Sequence, residues 1–142
     1  MSEKSHFVEI RIPSELGYEK MAMKLAGAVA QKMGFASDRI EDLKTAVAEA
    51  CLNAMEHGNQ LDASTQVLVL LNIDDDRLAI DVKDEGRGGA PPERFPEPDL
   101  HRKTLRHMGI YIIRNLVDEA GFVEPDLGKG NQFRMVIHLQ RQ

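Results

Sequence analysis

No apolar run in this 142-residue chain approaches the roughly 20 residues that a membrane-spanning helix needs. Its first ten residues, MSEKSHFVEI, hold no apolar core of signal-peptide length. A single cysteine, Cys51, excludes an intramolecular disulfide framework and suits a reducing compartment, so the expected location is the cytoplasm with no membrane partner. There is no internal repeat and no low-complexity tract. The phosphate-loop pattern G-x-x-x-x-G-K-[ST] occurs nowhere. A dinucleotide fingerprint is also missing, because no helix pattern directly follows the one glycine-rich run. A net charge of −5 argues against broad binding to nucleic acid.

What is present suits one folded domain over residues 1–142. Apolar residues make up 42% and charged residues 29%, an ordinary balance for a globular chain. Val8, Ile10 and Ile12 alternate against Glu9 and Arg11 and predict a strand over His6 to Ile12. Pro13 closes it, and Ser14 is placed to cap a helix that runs to Met33 and stops at Gly34. Asp38 and Glu41 have capping-box spacing at the head of a second helix, which ends near Gly58. Val67, Val69, Leu71 and Ile73, then Leu78, Ile80 and Val82, predict two strands joined as a hairpin through Asp74, Asp75 and Asp76. An irregular stretch from Glu85 to Lys103 follows, with four prolines and three glycines. A loop of that length inside a compact domain is usually functional or disordered. A third helix is expected over Leu105 to Asp118, then strands over Ala120 to Glu124 and Gln132 to Leu139. Strands and helices do not alternate regularly. The order fits an α+β two-layer sandwich, with a mixed, largely antiparallel sheet and helices on one face.

Three places carry chemistry. At about 100° per residue, Ile40, Leu43, Val47, Ala50 and Ala54 of the second helix fall within an arc of roughly 80°, the stripe that packs on the sheet. Glu49, Asn53 and His57 form a separate polar column at i, i+4 and i+8. Taken alone the column also fits a solvated face, and His57 before Gly58 also fits a histidine closing the helix. As a site, the Asn53 carboxamide oxygen can ligate Mg²⁺, and Glu49 one turn away can orient or deprotonate a hydroxyl. The second place is Asp84-Glu85-Gly86-Arg87-Gly88-Gly89, after a strand. A carboxylate at a strand end can accept from an exocyclic amine, and the glycines let a flat base come close; the run also fits a plain turn. The third is His101-Arg102-Lys103-Thr104-Leu105-Arg106-His107, whose cations oppose the dipole of the helix they open unless an anion sits there. An exposed basic loop is the simpler reading of that cluster.

Together these segments resemble a family. Glu49-x-x-x-Asn53-x-x-x-His57-Gly58 resembles the N-box of the GHKL ATPases, which include gyrase-type topoisomerases, heat-shock chaperones, histidine kinases and mismatch-repair ATPases. Asp84-x-Gly86-x-Gly88 resembles their G1 box. MGIYIIRNLVDE, from Met108 to Glu119, and GKGNQFRMVIHL, from Gly128 to Leu139, resemble the G2 region and closing strand of the anti-sigma-factor serine kinases in that family. The resemblance implies a domain that holds ATP and Mg²⁺. It makes Glu49 the general base, Asn53 the Mg²⁺ ligand, Asp84 the reader of adenine and Gly109 part of a lid over the phosphates. It extends the nucleotide-binding set to His57, Gly86, Gly88, Arg106, His107, Met108 and Asn131.

The function this implies is an ATP-dependent serine/threonine kinase that phosphorylates an anti-anti-sigma (STAS-type) partner and sequesters a sigma factor, often as a homodimer. The alternative is a non-catalytic partner-binding module with weak or no ATP binding. Two positions depart from the family pattern: His107 stands where the G2 box has glycine, and Asn131 where the last box has threonine. The first bears directly on whether phosphates fit.

Overall fold

The computed structural model describes residues 5–87, 105–125 and 129–139, with the side chains of residues 105–107 outside the description. Five strands form one sheet: β1 (His6–Pro13), β2 (Gln66–Ile73), β3 (Arg77–Lys83), β4 (Glu119–Val123) and β5 (Gln132–His138). Their spatial order is β1-β2-β3-β5-β4, and every pairing among them is antiparallel, so the mixed component expected from the sequence is not found. The β2–β3 hairpin has the expected register, with Val69 opposite Val82 and Leu71 opposite Ile80.

Three helices cover one face: α1 (Glu19–Met33), α2 (Ser37–Asn53) and α3 (Leu105–Leu116). Period-2 alternation turns Val67, Val69, Leu71, Leu78, Ile80, Val82, Phe133, Met135 and Ile137 toward them, and all nine are buried. Ala22, Ala26 and Ala30 of α1, Leu43, Val47 and Ala50 of α2, and Ile110 and Ile113 of α3 complete that core. Each fully buried aliphatic side chain contributes about 1.5–3 kcal/mol from area removed from water. On the other sheet face, Asp81 and Arg134 pair through two hydrogen bonds of 2.8 Å, and Gln132 Nε2 donates to Asp81 at 2.6 Å.

The start of α1 and the N-terminal caps of α1 and α2 differ from the sequence expectation, while α2 starts where expected. Helix α1 begins at Glu19, and Ser14 is not its cap; the Ser14 hydroxyl is buried against Asn59 and Thr65 instead. Helix α2 begins at Ser37 behind an extended Ala36, with no side-chain cap, and Asp38 Oδ1 accepts only from the neighbouring Arg39 N–H. Gly34 does close α1, in the left-handed conformation at φ +100°. Past Asn53 the second helix widens into one π-helical turn, Ala54–Gly58, whose closing bond runs from Asn59 N to Ala54 O at 2.8 Å. Among the described residues no helix is long and apolar enough to cross a membrane.

Ile80 lies at the centre of the sheet with no exposed surface. Ile80→Ala should therefore lower folding stability by about 2–5 kcal/mol. Urea unfolding should show a lower midpoint at an unchanged slope; a midpoint within error of the parent would contradict this account of the core.

Candidate functional site

The C-terminal half of α2 and the loop after β3 meet at one end of the sheet. Glu49 and Asn53 stand one turn apart on α2, half-buried, beside the N-terminal half of α3. Helix α3 comes so close that a Cβ on Gly109 would lie 2.9 Å from Asn53 Nδ2 and 3.1 Å from Glu49 Oε2. A Cβ there would require the ends of those two side chains to shift. Burial pushes the Glu49 carboxyl above the usual carboxylate range, and the nearby charge of Glu56 adds to the rise. Asn53 Nδ2 is buried with no hydrogen-bond partner among the described residues. A polar atom left so costs free energy unless something else pairs with it.

Asp84 is 9% exposed at the end of β3. Its Oδ1 accepts from Gly86 N at 2.8 Å and from Asn131 N at 3.0 Å, and the Asn131 carboxamide donates to both carboxylate oxygens at 3.2 and 3.3 Å. Three glycines clear the space around it. A Cβ on Gly58 would overlap Oδ2 and Cγ of Asp84, and one on Gly130 would overlap its backbone oxygen. Gly86 and Gly130 both take positive φ, +76° and +77°, and a Cβ on Gly86 would sit 2.9 Å from Gly130 Cα. Between Asp84 and Asn53 lies a cavity of about 10 Å³, lined also by Ala50, Ala54, Val82, Ile110, Phe122 and Phe133. The two phenylalanine rings meet edge to face, 5.0 Å apart. That volume is about the size of one water probe.

The fold thus brings together Glu49, Asn53, Asp84, Gly86, Gly109 and Asn131. His57 lies half-buried in the π-helical turn, and Met108 is half-buried in α3. Gly88 and the side chains of Arg106 and His107 lie outside the described residues. Sequence reading missed two features. Gly58 passes for a helix stop, while its structural part is to admit Asp84; nothing local in the sequence reports on a residue 26 positions away. Asn59, fully buried beside it, carries no motif at all.

This arrangement places the chain among known proteins. It belongs to the histidine kinase-like ATPase domain family, whose model matches residues 12–137. Among curated relatives it is similar to the serine-protein kinase RsbW of Bacillus licheniformis, 31% identical over 150 residues that take in 100% of this chain and 91% of the relative. The RsbW of Bacillus velezensis is 33% identical over 129 residues, covering 84% of this chain and 79% of that protein. Among solved structures, that of the RsbU and RsbW domains of Rv1364c from Mycobacterium tuberculosis superposes with a TM-score of 0.68 at 18% identity. The match covers 96% of this chain and 33% of that one, and it shares the fold.

Gly58→Ala tests the packing around Asp84. The forced contact should cost about 1–3 kcal/mol of stability, the usual range for overpacking. Gly121→Ala, where a Cβ meets nothing within 4 Å, should cost far less. Equal denaturation midpoints for the two variants would show that Gly58 is not needed for clearance.

Proposed function

We propose that this chain binds MgATP at the Glu49–Asn53–Asp84 cluster and transfers the γ-phosphoryl group to a serine or threonine hydroxyl of an anti-anti-sigma (STAS-type) protein. In this reading it also holds a sigma factor or related regulator, works in the cytoplasm as a homodimer, and sets transcription by exchange of partners. The observation that carries the proposal is one cavity lined by a strand-end carboxylate and by Asn53, whose buried Nδ2 has no partner among the described residues, with the raised-pKa carboxyl of Glu49 one helical turn away. The RsbW relatives, named as serine-protein kinases, support the reaction class.

The roles follow from the chemistry of each side chain. In this reading the Asp84 carboxylate, oriented by Asn131 and Gly86, accepts from the exocyclic amine of the base. Asn53 fits a metal–phosphate site: its carboxamide oxygen is of the type that ligates Mg²⁺, which takes few protein ligands beside waters and phosphate oxygens, and its unpartnered Nδ2 can donate to a phosphate oxygen. Bound there, Mg²⁺ would neutralise charge on the phosphate oxygens. Glu49 accepts the proton of the attacking hydroxyl, and its raised pKa makes it a better base than an ordinary carboxylate. Positioning and charge neutralisation account for most of such a transfer.

One observation favours the second reading, a partner-binding module with little affinity for nucleotide. The cavity of about 10 Å³ is far too small for a purine base. Under the kinase reading, α3 must therefore draw back from Asn53 as the nucleotide enters.

Calorimetric titration of ATP into nucleotide-free protein, with and without Mg²⁺, separates the two. Tighter binding with Mg²⁺, lost in Asp84→Asn, is the expected result; no binding at millimolar ATP would favour the partner-binding module. Glu49→Gln should keep ATP affinity and lose phosphoryl transfer to the anti-anti-sigma partner by at least about 10²-fold, the low end for a general base. The transfer rate of the parent should rise with pH through an ionisation above the usual carboxylate range, a limb absent from Glu49→Gln. The stability sign is opposite. A carboxyl raised in the folded state contributes fully below its unfolded pKa, and that contribution is lost as pH climbs through the folded value. At pH 7, Glu49→Gln should then be no less stable than the parent. Parent-like transfer by Glu49→Gln would remove Glu49 as the base.

A further inference from the structure

We propose that Asn59 is a positioning residue for the Asp84 loop, joining it to the end of the helix that carries Glu49 and Asn53; the proposal rests on the nucleotide-site reading above. Asn59 directly follows Gly58 and is fully buried. Its carboxamide makes three hydrogen bonds. Nδ2 donates to Ser14 Oγ at 2.9 Å and to Gln66 O at 3.0 Å, and Oδ1 accepts from Glu85 N at 2.6 Å. Gln66 N in turn donates to Glu85 Oε2 at 2.6 Å. Asn59, Gln66 and Glu85 thus close a ring of three hydrogen bonds linking the helix end, the start of β2 and the loop. An amide is suited to this because one side chain supplies both donors and an acceptor.

The ring acts on the peptide between Asp84 and Glu85. On one side its N–H is held by Asn59; on the other its carbonyl oxygen, that of Asp84, lies against Gly130, where a Cβ would overlap it. With both edges held, the peptide cannot turn, and the Asp84 side chain keeps the direction that lets Gly86 N and Asn131 N reach its Oδ1. The backbone bears a cost for presenting Asn59. The next two residues, Gln60 and Leu61, both adopt φ +53°, a left-handed conformation that non-glycine residues take only where the surroundings impose it. Leu61 is also left 45% exposed.

Ser14→Ala separates structure from positioning. It removes one bond to the same buried amide but leaves the bond to Glu85 N. Amide hydrogen exchange and ATP and ADP calorimetry on folded Asn59→Ala, Asn59→Asp and Ser14→Ala provide the test. In Asn59→Ala the Glu85 and Gly86 amides should exchange faster than global stability accounts for. ATP and ADP should both bind about tenfold more weakly, by the same factor, since one lost hydrogen bond is worth about that much. Ser14→Ala should change neither readout beyond its effect on stability. Asn59→Asp, which retains the acceptor for Glu85 N, should recover most of the affinity; it carries the comparison if the alanine variant does not fold. Unchanged protection of Glu85 and Gly86 in Asn59→Ala, or equal loss of nucleotide affinity in Ser14→Ala, would overturn the positioning role. So would loss of affinity in Asn59→Asp with the loop still protected. Failure of the parent protein to bind ATP would instead overturn the reading of the site, whatever the exchange data show.

Discussion

The constraint on which this molecule turns is the seat of one carboxylate, Asp84, in a place with almost no free volume. A buried carboxylate is costly unless its oxygens are hydrogen-bonded. Here backbone N–H groups from Gly86 and Asn131 and the Asn131 carboxamide supply those bonds. Bringing them within reach requires three chain segments to come closer than side chains allow, so Gly58, Gly86 and Gly130 occupy the contact points. Much of the surrounding architecture serves that convergence. The antiparallel β3–β5 pair sets Asp84 opposite Asn131, bonded backbone to backbone at 3.0 Å, and the π-helical turn carries Gly58 past them. An extra residue in that turn shifts the helix register just where Gly58 meets Asp84, and such bulges are frequent at functional sites.

The second cluster is built on a different balance. Helix geometry sets Glu49 and Asn53 one turn apart, and α3 packs on them at Gly109. The carboxyl is made more basic by burial and by Glu56, and the amide is left short of a partner. Both features weigh against folding. Sites that violate local rules in this way are where function is expected to lie. Asp84 is fully hydrogen-bonded, while the Asn53 amide nitrogen has no partner among the described residues. One end of the site is built to hold, the other to exchange partners.

How much of this was legible in the sequence varies with the range of the interaction. Period-2 alternation marked β1, β2, β3 and β5, and the helical stripe beginning in α2 was right at Leu43, Val47, Ala50 and Ala54, because core burial repeats along the chain. Gly34 was read correctly as the stop of α1, but the N-terminal caps were misjudged, since Ser14 found buried partners in Asn59 and Thr65 that no local pattern encodes. Ala46 reads as a small residue beside a polar column, yet it is fully buried as part of the core cluster. The individual site residues were legible only through their family pattern: spacing alone left the Glu49–Asn53–His57 column open to a solvated-face reading. Asn59 and the spatial part of Gly58 were not legible, because their meaning lies in contact with residues more than twenty positions away.

The small cavity has a consequence for how any ligand enters. Its walls divide into a fixed side and a movable one. Val82, Phe133 and Phe122 belong to the sheet, and Ala50, Asn53 and Ala54 to a helix packed on both α1 and the sheet. Ile110 alone comes from α3, which is anchored through Ile113 and Val117 toward its far end and, near Gly109, rests on polar atoms it does not satisfy. Among the described side chains, moving the near end of α3 outward would uncover Glu49 and Asn53 together and give up the burial of Ile110, about 1.5–3 kcal/mol if lost entirely. Pairing the Asn53 amide with a ligand oxygen would offset a cost of that size, since an unsatisfied buried polar group is worth about 1–3 kcal/mol. Opening and binding are thus nearly balanced at this contact.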